Sequence, residues 1–274
     1  MKNLEGKVAV VTGAAAGMGK AIAGMLMAEG CKVALLDVNK SELDKTTAEL
    51  KETGTCESFV CDISDRIAVY ETASLVKKKL GMVAVLINNA GIVKAKALLE
   101  LEDDAIQKTI DVNLTSMFWT CKAYLPDMID QHEGHVVNIA SAGGLLAIPN
   151  LSAYCASKSG VIGFTDAARQ EMSKMNANVG FTYVCPNTVG TGMFEGSKMV
   201  AGTELLSPES VAAQVIKAIK KNTPMVALPN LPVKVITPLV KWLLPIRAMD
   251  LVNKTLGMWD ANDSWKGHAS KKGV

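Results

Sequence analysis

Short apolar runs alternate with longer stretches of helical periodicity along this chain. The β-branched run Lys7-Val8-Ala9-Val10-Val11-Thr12 predicts a fully buried strand, and Lys20 to Ala28 follows with an apolar-rich helical pattern. A second run, Lys32-Val33-Ala34-Leu35-Leu36, and later runs at Val83–Ile87 and His135–Ala140 predict further buried strands. Between them Thr109–Leu114 reads as helix. Strand and helix patterns alternate without a Pro/Gly/Ser-rich linker, a low-complexity run or an internal repeat. That alternation predicts an α/β fold, a doubly wound parallel sheet flanked by helices. Its 274 residues are expected to form a single domain. Residues 1–190 would be the core and 191–274 a variable segment.

Where the first strand meets the first helix, the turn reads Gly13-Ala14-Ala15-Ala16-Gly17-Met18-Gly19. Glycines let a backbone turn tightly and approach a pyrophosphate, and the following helix offers free N–H groups and a positive dipole end. The second strand ends at Asp37, about 20 residues beyond the glycines, where a carboxylate can bind the ribose 2′-hydroxyl of NAD and repel the 2′-phosphate of NADP. The plain alternative for Asp37 is a strand-terminal turn residue. Lys40 is the nearby cation that a 2′-phosphate could use.

Tyr154 and Lys158 stand one helical turn apart in Ser152-Ala153-Tyr154-Cys155-Ala156-Ser157-Lys158 and would share a face. An ammonium beside a phenol favours phenolate, so the Tyr154 pKa is expected below its ordinary value of about 10. A phenol tuned in that way exchanges a proton with an alcohol. Ser141 would sit at the carboxyl end of a strand, the edge at which open parallel sheets bind ligands.

Taken in order, these motifs resemble the short-chain dehydrogenase/reductase family over nearly the whole chain. The matching pieces are Thr12-Gly13 with Gly17-Met18-Gly19, Cys61-Asp62-Ile63, Asn88-Asn89-Ala90-Gly91, Asn113, Ser141, Tyr154 with Lys158, and Pro186-Asn187-Thr188-Val189-Gly190-Thr191. The resemblance implies a Rossmann-type sheet and a catalytic tetrad of Asn113, Ser141, Tyr154 and Lys158, with Asn113 holding a water that links Lys158 to solvent. It also implies that Lys158 binds the nicotinamide ribose, Asp62 lies near the adenine and Thr191 reaches the carboxamide. The expected NAD-binding set is Gly13, Ala15, Gly17, Met18, Gly19, Asp37, Asp62, Ile63, Asn89, Ala90, Gly91, Tyr154, Lys158, Pro186, Val189 and Thr191. Ser141, Tyr154, Asn187, Met193 and Phe194 are expected at the substrate. Asn187 replaces the glycine usual in the family, and asparagine tolerates left-handed backbone better than other side chains.

Composition narrows the remaining choices. A formal net charge of +2 gives no case for nucleic-acid binding. Six cysteines occur singly, with three histidines and no metal-like spacing, which suits a reducing compartment. No signal-peptide pattern precedes the first strand, so a cytoplasmic location is expected. The stretch Leu231–Pro245 is apolar but broken by Lys234, Lys241 and three prolines, a poor membrane span. It could wall an apolar cleft, enter a subunit interface or lie on a membrane surface. Thr191–Gly196 and Leu256–Asp260 are similar to the retinol dehydrogenase and 17-beta-hydroxysteroid dehydrogenase branch. The resulting expectation is a metal-free, NAD-dependent oxidoreductase that interconverts an apolar, secondary, retinoid- or steroid-like alcohol and its carbonyl, assembled as a homodimer or homotetramer. The alternatives are an NADPH-dependent 3-oxoacyl thioester reductase and a dinucleotide sensor without chemistry.

Overall fold

A computed structural model describes residues 1–199, 204–229, 233 and 243–267. Most of the Leu231–Pro245 stretch therefore lies outside the described residues. Seven strands form one sheet: β1 (Val8–Thr12), β2 (Lys32–Asp37), β3 (Cys56–Val60), β4 (Val83–Asn88), β5 (Gly134–Ile139), β6 (Val179–Pro186) and β7 (Met225–Leu228). Their order is β3-β2-β1-β4-β5-β6-β7, and every neighbouring pair is parallel. The order reverses beside β1, so a crevice opens between β1 and β4 at their carboxyl ends.

Side-chain alternation along these strands feeds two apolar layers. On one face Ala9, Val11, Val33, Leu35, Val85 and Ile87 pack with α1 (Gly17–Ala28) and α7 (Pro208–Lys221), as well as with Leu43 of α2 (Lys40–Lys51). On the other, Val8, Val10, Ala34, Leu36, Leu86 and Val136 pack with α3 (Arg66–Leu80), α5 (Ser116–Asp130) and α6 (Ser152–Lys174). Burial on both faces is why the strands read as unbroken apolar runs. Helix α4 (Asp103–Ile110) runs into α5 through a π-helical turn, Asp111–Thr115. Helix α8 (Ile246–Thr255) is the last regular element described. Among the described residues no helix is long and apolar enough to cross a membrane.

Polar groups inside this core are paired across elements. Asn88 and Asn138 face each other in the β4–β5 register, and Asn88 Nδ2 donates to Asn138 Oδ1 at 2.8 Å. Thr120 donates to Asn88 Oδ1 at 2.7 Å, and Asn138 Nδ2 donates to Thr165 at 2.9 Å. The chain of bonds joins α5, β4, β5 and α6, and it fixes their relative slide in a way that apolar packing does not.

His135, fully buried at the start of β5, meets Thr182 Oγ1 through Nε2 at 2.8 Å. Thr182 donates its own proton to Thr223 O at 2.7 Å, so Nε2 carries the imidazole hydrogen and Nδ1 is left without a partner. Burial, helped by the positive amino terminus, pushes this histidine down to about 3. The unfolded chain therefore binds the extra proton first, and the stability present above pH ~6.5 drains away as pH falls toward ~3. Between pH 7 and 5, denaturant unfolding should show His135→Gln losing about 2 kcal/mol less than the wild type. Equal losses would remove His135 as the cause.

Candidate active site

The glycine loop is tied to the exit of β4. Thr12 Oγ1 accepts from the amides of Asn89 and Ala90, both at 3.0 Å, while Asn89 Nδ2 donates to Thr12 O at 2.9 Å and Gly13 O at 3.1 Å. Side chains have no room in this joint. Gly13 has φ +64°, and a Cβ on Gly19 would stand 2.0 Å from Gly13 O. Ala16 at the N-cap of α1 supplies no side-chain cap, so the first-turn amides are left for an anion. Asp37 sits beside the loop, accepting from Ala15 N at 3.0 Å and from Asn39 N at 2.9 Å. Lys40 points its charge at Asp44, 2.5 Å away, rather than at Asp37. A pyrophosphate, an adjoining ribose and their glycine cradle fit these residues.

Asp62 and Ile63 follow β3 at the same edge. Asp62 accepts from Ser64 N, Ser64 Oγ and Lys108 Nζ. Burial pushes its carboxyl up, but those bonds outweigh it and leave the pKa lowered. The cap of α3 is Asp65, which accepts from Ile67 N and Ala68 N.

Three parts of the fold bring the expected tetrad together. Ser141 stands two residues beyond β5, capping the short turn Ala142–Gly144, and accepts from Gly143 N at 3.1 Å. Tyr154 and Lys158 come from the first turns of α6, with 6% and 3% of their surfaces exposed. Lys158 Nζ donates to Ile139 O at 2.8 Å and stands 5.8 Å from the Tyr154 ring centre. Asn113 lies in the π-helical turn, a backbone irregularity that recurs at functional sites. Its amide is held by the protein at both ends: Oδ1 accepts from Ile92 N at 2.8 Å, and Nδ2 donates to Ile92 O at 2.9 Å and Ser157 Oγ at 3.1 Å.

One expectation is corrected. The phenol of Tyr154 is not depressed here: burial pushes it up to about 12, and the bond with Ser141 only partly offsets this. The same burial brings Lys158 down to about 8. Adjacency alone suggested the opposite sign for Tyr154. In this interior the loss of water costs the phenolate more than its neighbours return.

Ser141, Tyr154 and Lys158 line one cavity with Met18, Asn89, Gly91, Pro186, Asn187, Val189, Thr191, Met193 and Phe194. Phe194 stands edge-on to Tyr154, with ring centres 5.7 Å apart. A neighbouring cavity shares Ser141, Tyr154, Asn187 and Phe194 and adds Ile148, Leu151, Ala261 and Asn262. The carboxyl-terminal contribution has no local sequence signal, because it depends on a long-range return of the chain. Among the described residues no group of histidine, cysteine and acidic side chains is arranged to hold a metal.

A family profile described as short chain dehydrogenase matches residues 7–199. Epidermal retinol dehydrogenase 2 of Mus musculus is 36% identical over 275 residues, covering 98% of this chain and 88% of the relative. Estradiol 17-beta-dehydrogenase 11 of Macaca fascicularis is 37% identical over 231 residues, covering 84% and 77%. Among solved structures, a short chain dehydrogenase/reductase from Burkholderia phymatum in complex with NAD superposes with a TM-score of 0.81 at 26% identity, covering 93% and 97%.

The Asn113 clamp makes a stability prediction. Asn113→Ala removes the part-buried bonds to Ile92 and the buried one to Ser157 and should cost about 1–3 kcal/mol in denaturant unfolding. A loss under about 0.5 kcal/mol would mean that the Gly91–Ile92 segment is held by other contacts.

Proposed function

The chain belongs to the short-chain dehydrogenase/reductase family, and on that premise we propose that it is an NAD(H)-dependent enzyme interconverting an apolar secondary alcohol and its ketone. The observation that carries this reading is the single cavity in which Ser141, Tyr154 and Lys158 face Met18 and Thr191 from the nucleotide side. Bound nicotinamide accepts or supplies the hydride at the carbinol carbon.

The remaining chemistry belongs to side chains. Ser141 Oγ holds the substrate oxygen, and Tyr154 passes a proton to or from it. A phenol held near 12 is protonated at neutral pH, ready to donate as a ketone oxygen gains charge. Lys158, although lowered to about 8, is still largely cationic at pH 7 and opposes the charge left on the phenolate. It also binds ribose hydroxyls. Asn113 acts as a positioning residue through Ile92 and Ser157.

Asp37 supports NAD over NADP, since its carboxylate lies beside the glycine loop while Lys40 is neutralised by Asp44. The relatives named for retinol and estradiol support a large apolar alcohol. The two cavities beside Tyr154 share Ser141, Asn187 and Phe194, which gives an alcohol bound at Tyr154 room to extend from one into the other. Six free cysteines support a reducing, cytoplasmic setting. Phe118 of α5, 44% exposed against Phe164 of α6, supports a homo-oligomer that covers this face.

Purified protein with NAD and a panel running from short secondary alcohols to retinol and hydroxysteroids tests the reaction by NADH absorbance. Tyr154→Phe should lower kcat by about 10³-fold or more while NADH binding, read by fluorescence, persists. Normal turnover in that variant would overturn the proton-transfer role. In parallel, Asp37→Ala should weaken NAD use and raise NADP use; a wild type that turns over only with NADP would reverse the cofactor assignment.

A further inference from the structure

The last described stretch of the chain, residues 258–267, returns across the sheet edge and lies against the segment 193–198. Lys198 N donates to Ala261 O at 2.8 Å, Lys266 N donates to Glu195 O at 2.8 Å, and Trp265 Nε1 donates to Met193 O at 3.1 Å. Asn150 Nδ2 adds a bond to Asp263 Oδ1 at 3.1 Å from the loop before α6. This strap closes the outer wall of the second cavity, whose inner end holds Ser141 and Tyr154. The rest of the lining combines apolar Ile148, Leu151, Phe194 and Ala261 with polar Asn187, Thr188, Ser197 and Lys198.

Asn262 is the polar side chain that the strap adds to this lining. It lines the cavity with only 7% of its surface exposed. Its Oδ1 accepts from Ser197 Oγ at 2.9 Å, which fixes the amide plane. Its Nδ2 group, with two N–H donors, has no hydrogen-bond partner among the described residues. An amide donor that the protein leaves unbonded on the lining of this cavity is available to an acceptor in the ligand.

We propose that Asn262 is a specificity-determining residue whose free N–H groups bind a second oxygen of the substrate, remote from the reacting carbinol. The favoured substrate class is then an apolar secondary alcohol carrying a distal carbonyl or similar acceptor, rather than one whose far end is hydrocarbon alone. The assignment rests on the alcohol–ketone reaction proposed for Ser141 and Tyr154. It adds the recognition of the opposite end of the molecule. A site built to hydrogen-bond a substrate oxygen discriminates far more strongly than one sorting methylenes, because the analogue leaves the buried donor unpaired.

Matched alcohol pairs test this in the oxidising direction with NAD. One pair is 4-acetylcyclohexanol and 4-isopropylcyclohexanol; the other is a steroid 17β-alcohol with a ketone on the far ring and the same skeleton with a methylene there. The wild type should favour the ketone-bearing member of at least one pair by roughly 10- to 100-fold in kcat/KM. Asn262→Asp keeps an acceptor for Ser197 but replaces the donor with a carboxylate oxygen. It should collapse the preference by lowering the ketone-bearing member alone, with the hydrocarbon member changed by less than about twofold. Asn262→Leu should do the same, which covers the case in which the charge disturbs the fold. Asp263→Ala loosens the strap without touching the donor and should leave the ratio intact.

A preference that survives both Asn262 variants overturns the assignment. So does an equal fall for both members of a pair, or a collapse in Asp263→Ala, because each marks strap packing rather than a hydrogen bond. Absence of turnover by the wild type on every pair is a different failure: it removes the alcohol–ketone reaction itself, and this inference with it.

Discussion

A buried ammonium group organises the functional edge of this protein. Lys158 is almost withdrawn from water, and an unpaired charge in such a place is costly. Its described hydrogen bond goes to the main-chain carbonyl of Ile139, the last residue of β5. The bond requires α6 to meet the end of β5 at one height, which brings Tyr154 alongside Ser141. It also fixes the neighbouring loop, because Gly91 lies close to both Lys158 Nζ and Asn113 Oδ1, and a side chain there would crowd them. Depth has a second effect. The same loss of water that lowers Lys158 raises Tyr154, so two proton affinities that nearly coincide in free side chains are driven apart, to about 8 and about 12.

The scaffold holds this edge steady through polar bonds between layers. Thr12 and Asn89 tie β1 to the exit of β4, and the Asn88–Asn138 pair locks β4 to β5. Each tie joins strands that are distant in sequence, and each lies close to the crevice. Apolar side chains determine which face of the sheet a helix covers. These directional bonds determine how far along the strand it stops.

Much of this was legible in the residues themselves. Val8–Thr12 and Val83–Ile87 read as buried strands because parallel strands covered on both faces carry apolar residues at every position. Gly13, Gly19 and Asp37 announced the nucleotide edge through spacing, and Tyr154 with Lys158 through helical period. The π-helical turn at Asp111–Thr115 was not visible, since one widened turn leaves the apolar pattern of α4 and α5 intact. The pKa of Tyr154 was misread because burial sums over every neighbouring atom, whereas adjacency in sequence exhibits only one of them. Asn262 was invisible for a topological reason: nothing near it in the chain reveals that residues 258–267 meet residues 193–198.

The chemistry of that meeting has an evolutionary side. Two of the bonds holding the strap run between main-chain groups, Lys198 N to Ala261 O and Lys266 N to Glu195 O. Those groups are present whatever the side chains, so these two attachments are insulated from changes in the strap's own sequence. Residue 262 can therefore drift between amide, hydroxyl and hydrocarbon while the wall stays in place. Such a fold can diversify its ligand chemistry by point substitution near its carboxyl end, leaving Ser141, Tyr154 and Lys158 untouched.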